Sequence, residues 1–340
     1  MSTVKNFGCL AVCACFVTTI PFLINLQPKT NAHRSPPLAT PTLKQEKSIC
    51  DMTANELQDQ QYLRRIWQFW DGGKGNGYMQ LCHELMRAGS PTVFVDTIDP
   101  TCIKRVFPDT PKDFDLLIPA HKADYARCRL LTRFGGMYND YDTIALQSFA
   151  PLFDMLDEDH NMVRHRNVTS EDVISPVSNI GPMKPNLPGF SSCKDIFHQK
   201  MVRRVNEKIG DKLKWPMCES TILRPLAAIA KQEPNPIKFH DLEAFDEKTF
   251  KGSYIFLGIE AERQKEIAKY IIDYGDFEGT NQYLVVLNNY YNFEFGKLSR
   301  EEAYCDQDHP ISMILRSQMS IAGLGTPDCS KITAIGTIEP

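Results

Sequence analysis

Two aspartates separated by one residue, Asp140-Tyr141-Asp142, stand just past a glycine pair, Gly135-Gly136. In an extended chain, side chains two apart point the same way, so both carboxylates are expected on one side. Paired carboxylates repel unless a cation or a ligand neutralises them. Oxygen-only ligands suit Mg2+ or Mn2+ rather than zinc. Upstream, Asp124 and Arg127 are three apart and share one helix face, beside an apolar stripe of Ala123, Ala126, Leu130 and Phe134. A carboxylate and a guanidinium presented together grip hydroxyls and phosphates with useful geometry. Taken singly, each pattern also has a bland reading: a surface turn for the first and a solvated i,i+3 ion pair for the second.

The surrounding elements are those that would carry such a site. Ile66-Trp67-Gln68-Phe69-Trp70 is a strand-like apolar run ended by Asp71-Gly72-Gly73. Met79, Leu81, Cys82, Leu85 and Met86 recur at helical spacing over residues 78–88, and Gly89 closes the helix. Thr92-Val93-Phe94-Val95 follows as a second strand, so the order begins β, α, β and favours a parallel sheet covered by helices. A helix over 122–134 stops at Gly135-Gly136. The acidic pair then falls at a strand's C-terminal edge, where open α/β sheets bind ligands. Short strands are expected at Asn161–Arg164 and Asp172–Ser175, and helices at Asp195–Lys208, Ser220–Lys231 and Ala261–Tyr274.

Jointly these features resemble one family. Asp124 and Arg127, then Gly135-Gly136 with Tyr138, then Asp140-Tyr141-Asp142 repeat the pattern and spacing of the sugar-binding DXD region of a glycosyltransferase superfamily. Its members include Golgi α-1,4-galactosyltransferases, initiating α-mannosyltransferases, capsular-polysaccharide synthesis proteins and the glucosylating domains of large toxins. The run Ile66–Gly72 resembles the family's first strand, especially in the capsular type, and Val177-Ser178-Asn179-Ile180 loosely resembles a later Asn-containing strand. The resemblance implies an α/β fold of the GT-A type, a Rossmann-like mixed sheet flanked by helices. It implies a nucleotide-sugar donor (UDP-hexose or GDP-mannose), a glycan or glycoconjugate acceptor, Mn2+ or Mg2+ as cofactor, and retention of anomeric configuration. Asp142 would bind the metal directly. Asp140 would meet the donor ribose, or the metal through water. Asp124 and Arg127 would hold the hexose, and Trp70 would stack on the nucleobase, with Trp67 as its substitute.

The chain also departs from the family. The family often draws a further metal or diphosphate ligand from a C-terminal His, Asn or Ser-Trp motif; here His309, in Asp306-Gln307-Asp308-His309, is the nearest equivalent, against an ordinary loop histidine. Where many members carry a Gly-Pro acceptor motif, this chain has Trp215-Pro216, with Glu219 as an acceptor contact or simply a helix N-terminal residue. Two other functions compete: a metal-dependent phosphoester hydrolase using Asp140 and Asp142, and a non-catalytic glycan- or nucleotide-binding relative.

Composition narrows the field. The 340 residues carry 38 Lys+Arg and 42 Asp+Glu, with 42% hydrophobic residues, an ordinary globular profile and not a disordered or many-span membrane chain. A net charge of −4 gives no electrostatic case for nucleic acid. Residues 6–28 hold no charged side chain and are long enough to span a bilayer. The expected organisation is a signal-anchor over 1–27, a Pro-rich stem over 28–60 and the catalytic domain over 61–340, in a Golgi or other secretory membrane, single-pass with a luminal domain. Lys29, Arg34, Lys44 and Lys47 lean against that orientation; the sequon Asn167-Val168-Thr169 is compatible with it. Of eleven cysteines, eight follow the apolar segment, an even set that suits disulfides in an oxidising lumen. Cys82 and Cys128 read equally well as buried small hydrophobes.

Overall fold

A computed structural model describes residues 47–59, 64–72, 76–156, 162–167, 179–187, 239–245, 261–278, 282–287 and 295–332, together with Asp195 and Thr280. Strand β1 (Arg65–Phe69) is buried at every position, as a strand covered on both faces must be. Trp67 and Phe69 enter a cluster with Ala126, Leu130 and Phe134 of a long helix, whereas Ile66 joins Met86 and Met137 on the other face. Period-two geometry thus sorts an unbroken apolar run onto two cores.

The main sheet has the order β2-β1-β3-β6-β5-β7. Strands β2 (Phe94–Ile98) and β3 (Gly136–Asn139) flank β1 in parallel. Strand β6 (Asn179–Met183) runs antiparallel to β3 and to β5 (Met162–Asn167), and β7 (Phe239–Phe245) is parallel to β5. The fold is a mixed α/β sheet flanked by helices. A separate antiparallel pair, β4 (Thr143–Ala145) with β8 (Leu284–Val286), begins directly after Asp142.

Two helices frame the strand ends. Helix α2 (Gly77–Gly89) and the long helix, here α4 (Pro119–Phe134), lie where their apolar spacing places them. Helix α4 starts three residues earlier than expected because Pro119 fills its first turn, where a missing N–H costs nothing. Strand β2 starts two residues later than expected, because Thr92 and Val93 form the turn in which Val93 N–H donates to the Ser90 carbonyl. Helix α3 (Pro100–Val106), capped by Asp99, joins β2 to α4. The expected helix Ala261–Tyr274 is present as α6, following the short α5 (Ala150–Asp154). Two short C-terminal helices, α7 (Arg300–Cys305) and α8 (Pro310–Ile321), pack with α6 around α2. The expected elements at Asp172–Ser175 and Ser220–Lys231, and all of Asp195–Lys208 beyond Asp195, lie outside the described residues, as do Trp215-Pro216 and Glu219.

The expected stem boundary at residue 60 needs correction. Ile49, Met52 and Leu57 are buried in the same cluster as Trp67, the last of them on α1 (Ala54–Asp59). A disulfide ties Cys50 to Cys102 of α3. Ser48 Oγ and the Ile49 N–H both donate to Asp96 of β2. This segment is therefore part of the folded unit: few apolar residues suffice when a covalent link and an ion pair anchor them. Residues 1–46 lie outside the described residues. Among the described residues no helix is long and apolar enough to cross a membrane. Cys305 pairs with Cys329. Cys82 is free and buried, as one expectation had it. Cys128 instead is disulfide-bonded, to a cysteine outside the described residues.

The Asp96 anchor is a buried ion pair: Arg65 Nη1 donates to Asp96 Oδ2 at 2.7 Å, with both side chains 2% exposed. Burial lifts the Asp96 carboxyl above its usual range, opposed by Ser48, Ile49 and Arg65. Removing one partner strands the other charge in the core. Asp96→Ala should therefore lower unfolding stability by about 3–5 kcal/mol, read as a reduced urea midpoint with unchanged slope. A loss under 1 kcal/mol would show that residues 47–59 are not anchored as described.

Candidate functional site

The Asp124–Arg127 pair forms on α4 as its spacing requires, and it is buried, not solvated. Arg127 Nη1 donates to Asp124 Oδ1 at 2.8 Å, and the guanidinium is 3% exposed. Its Nη2 donates to Asp140 Oδ1, also at 2.8 Å. One guanidinium thus joins the helix carboxylate to the first aspartate of the acidic pair. Beneath it lies the Tyr138 ring, with the guanidinium carbon 4.3 Å from the centroid. A planar delocalised cation suits this double hydrogen bond over an aromatic face, and an ammonium would not.

The glycine pair makes this closure sterically feasible. Gly135 and Gly136 both have positive φ, 67° and 87°. A Cβ on Gly135 would stand 2.5 Å from the Met183 carbonyl oxygen of β6. The Gly135 carbonyl accepts a hydrogen bond from Trp67 Nε1 at 2.7 Å. The chain therefore turns tightly out of α4 into β3 and delivers Asp140 back alongside Arg127.

Past β3 the backbone bends. Tyr141 and Asp142 lie in a turn, so strand alternation does not govern this step. Asp140 faces α4 and keeps 31% of its side chain exposed. Taking it out of water raises its carboxyl above the usual range; Arg127 and Tyr138 oppose this by favouring its charged form. Asp142 is 8% exposed, and its charge acts on Tyr78 and Cys82 of α2. Burial first, and that charge second, push both the phenol and the thiol well above their ordinary ranges. The Asp142 carbonyl accepts from the Leu287 N–H at the end of β8.

The two tryptophans separate clearly. Trp67 is fully buried in the core with its N–H bound to Gly135, so it is unavailable as a base-stacking substitute. Trp70, at the strand end, is half-buried and packs against Tyr141 with ring centroids 5.5 Å apart. Asp71, next in sequence, accepts an ion pair from Lys122 of α4 at 2.7 Å, which ties the end of β1 to the helix bearing Asp124. This pair was not foreseeable, because 51 residues separate its members.

His309 stands at the N-terminus of α8. It caps α8, its Nδ1 accepting from the Ile311 N–H at 3.3 Å, and its ring stacks on Phe295 at 4.0 Å. Burial lowers its pKa to about 4. Among the described residues no three His, Cys, Asp or Glu side chains form a cation-holding group. Asp140 and Asp142 are of the type that fits a Mg2+- or Mn2+-type ion, which takes one or two protein carboxylates and completes its shell with substrate phosphates. A cavity of about 210 Å3 along the C-terminal half of α4 is lined by Phe107, Arg129 and Arg133 and includes none of these residues.

Residues 76–163 match the family model described as "Glycosyltransferase sugar-binding region containing DXD motif". The matched stretch runs from the start of α2 into β5 and contains Asp124, Arg127, Asp140 and Asp142; Trp70 and His309 fall outside it. This stretch of the chain is thus similar to the DXD sugar-binding region of glycosyltransferases. No curated protein matches it significantly. Among solved structures it is similar to the "PaToxG Glycosyltransferase", at 13% identity over 77% of this chain and 87% of that one, with a TM-score of 0.33. That likeness is too distant to bear on the site.

The His309 environment has a measurable consequence. The unfolded chain takes up its proton near the ordinary value of 6.5, the folded chain only near 4. Between those values the unfolded state binds more protons, so stability rises with pH across the window and falls on acidification. His309→Asn, which keeps a capping side chain, should flatten the pH dependence of the melting temperature between pH 6.5 and 4. An unaltered slope would show that His309 is not buried against Phe295.

Proposed function

We propose that this protein is a retaining glycosyltransferase that moves a hexose from a nucleotide sugar to a hydroxyl of a glycan or glycoconjugate acceptor. The observation that carries the proposal is the buried Arg127, which joins Asp124 of α4 to Asp140 of the acidic turn inside the segment matched to the DXD region. The GT-A assignment belongs to the same proposal.

In such a transfer the bond from the anomeric carbon to the diphosphate oxygen breaks, and a bond to the acceptor oxygen forms. The acceptor proton passes to the departing diphosphate. Negative charge grows on the leaving group, and a divalent cation stabilises that charge as a Lewis acid. Asp142, with Asp140, would hold the cation. Asp124 and Arg127 would fix the hexose, their positions set by hydrogen bonds already formed within the protein. Carboxylates near an anomeric carbon that gains cationic character favour the transition state electrostatically. Trp70, partly exposed at the end of β1, would meet the nucleobase. Positioning and charge stabilisation are the main demands of this chemistry. A two-metal phosphoester hydrolase would need a denser ligand set than the two carboxylates found among the described residues.

The proposal extends to the compartment: a Golgi or other secretory membrane, with an anchor over residues 1–27 and a luminal catalytic domain. Disulfides at Cys50–Cys102, Cys305–Cys329 and Cys128 support an oxidising environment.

The test is thermal stabilisation of the full chain by UDP and by GDP, each with and without Mn2+. One nucleotide should stabilise only when Mn2+ is present, by about 2.7 kcal/mol at a hundredfold excess over its dissociation constant. Asp142→Asn should abolish that increment while leaving the ligand-free melting temperature within a few degrees. Undiminished Mn2+-linked nucleotide binding in the variant would remove Asp142 from the metal role. Stabilisation by Mn2+ alone, with no nucleotide effect, would favour the hydrolase.

A further inference from the structure

On the α2 side of the acidic turn lies a group of side chains that the proposed reaction does not use. Gln68 of β1 is fully buried, and its Oε1 is 2.6 Å from His83 Nδ1. An amide oxygen only accepts, so Nδ1 carries the proton in this pairing. The His83 ring stacks flat on Tyr141, with centroids 5.2 Å apart and planes 7° apart. Trp70 meets the same tyrosine at 5.5 Å and 35°. Tyr141, the residue between the two aspartates, is therefore held at its ring by His83 of α2 and by Trp70 at the end of β1.

The consequence is directional. Asp140 is drawn toward α4 by Arg127, and the Asp142 carbonyl is tied to the Leu287 N–H. The peptide between them can keep that orientation only while Tyr141 stays in its slot. We propose that His83, oriented by Gln68, is a positioning residue for the acidic turn: its ring packs against Tyr141 and thereby fixes the directions in which Asp140 and Asp142 present their carboxylates to a cation and its diphosphate. This rests on the metal role given above to Asp140 and Asp142.

Neutrality supports the arrangement. Burial, aided by Arg87, lowers the His83 pKa to about 4, with Glu84 opposing. The ring therefore presents an uncharged face to Tyr141 beside a site that would hold a cation. Leucine would fill the space, but it has neither a flat face for Tyr141 nor a donor for Gln68.

The experiment measures UDP and GDP affinity of the full chain by calorimetry, with Mn2+ and with EDTA, for wild type, His83→Leu and His83→Phe. Leucine keeps the bulk without the ring, and phenylalanine restores the ring without the Gln68 bond. His83→Leu should weaken the Mn2+-linked affinity about tenfold, the scale of an aromatic pair, and leave any EDTA affinity unchanged. His83→Phe should recover it to within about threefold. Equal Mn2+-linked affinity in His83→Leu, even with a lowered melting temperature, would overturn the proposal and leave the glycosyltransferase reading intact. Loss in both variants alike would also overturn it, since the ring would then not be what positions the turn. A wild type without Mn2+-linked binding of either nucleotide would instead overturn the underlying reading. If His83→Leu does not fold, His83→Gln takes its place under the same criteria.

Discussion

A buried arginine is tolerable only when its charge is met on the spot, and Arg127 is met from two sides. Water is excluded from its guanidinium, so its interactions with Asp124 and Asp140 act through a medium far less polar than solvent. Each carboxylate is correspondingly dependent on the arginine. Such a trio contributes little net stability compared with well-packed apolar residues, yet breaking it is costly because the survivors remain charged and dry. Its value is geometric. It fixes the acidic turn against one face of α4 to within a hydrogen bond, and the Gly135-Gly136 turn exists to let the chain reach that position.

The other side of the site is held by different means. Helix α2 begins at Gly77, where a Cβ would stand 2.2 Å from the Ser299 backbone. Arg300 adds a two-pronged ion pair to Glu84, at 2.7 and 2.6 Å, and Ser299 with Glu302 closes a capping box on α7. The C-terminal helices are thus locked onto α2, and α2 carries Tyr78, Cys82 and His83 against the acidic turn. Asp140 answers to α4 and Asp142 to α2, so the relative placement of the two carboxylates depends on elements far apart in sequence. A substitution at Gly77 would act on the site although it touches none of its residues.

That division explains what could be seen in the sequence. Helices α2, α4 and α6 were legible because apolar residues repeat at helical spacing, and β1 because its run is unbroken. The Asp124–Arg127 pair was legible because helical geometry alone brings the residues together. Its burial was not, because that depends on β3 returning over α4. The same holds for Lys122 with Asp71, for Gln68 with His83, and for the segment around Ile49, whose composition resembles a linker until Asp96 and Cys102 are placed beside it. His309 carried a ligand's chemistry in a loop-like sequence, but Pro310 after it marks a helix start, and the imidazole serves as the cap. The premise behind expecting Asp140 and Asp142 on one side does not apply, for a local reason: alternation holds in strands, and β3 ends at Asn139.

The charge distribution constrains any ligand this site accepts. Near the strand ends stand Asp71, Asp124, Asp140 and Asp142, against Lys122 and Arg127. Lys122 is committed to Asp71, and Arg127 is shared between two carboxylates. Under the proposed metal role, the described residues offer a divalent cation two carboxylates, and substrate phosphates would complete its shell. Cation and nucleotide should therefore each raise the affinity of the other, as linkage requires of two ligands that share a coordination shell.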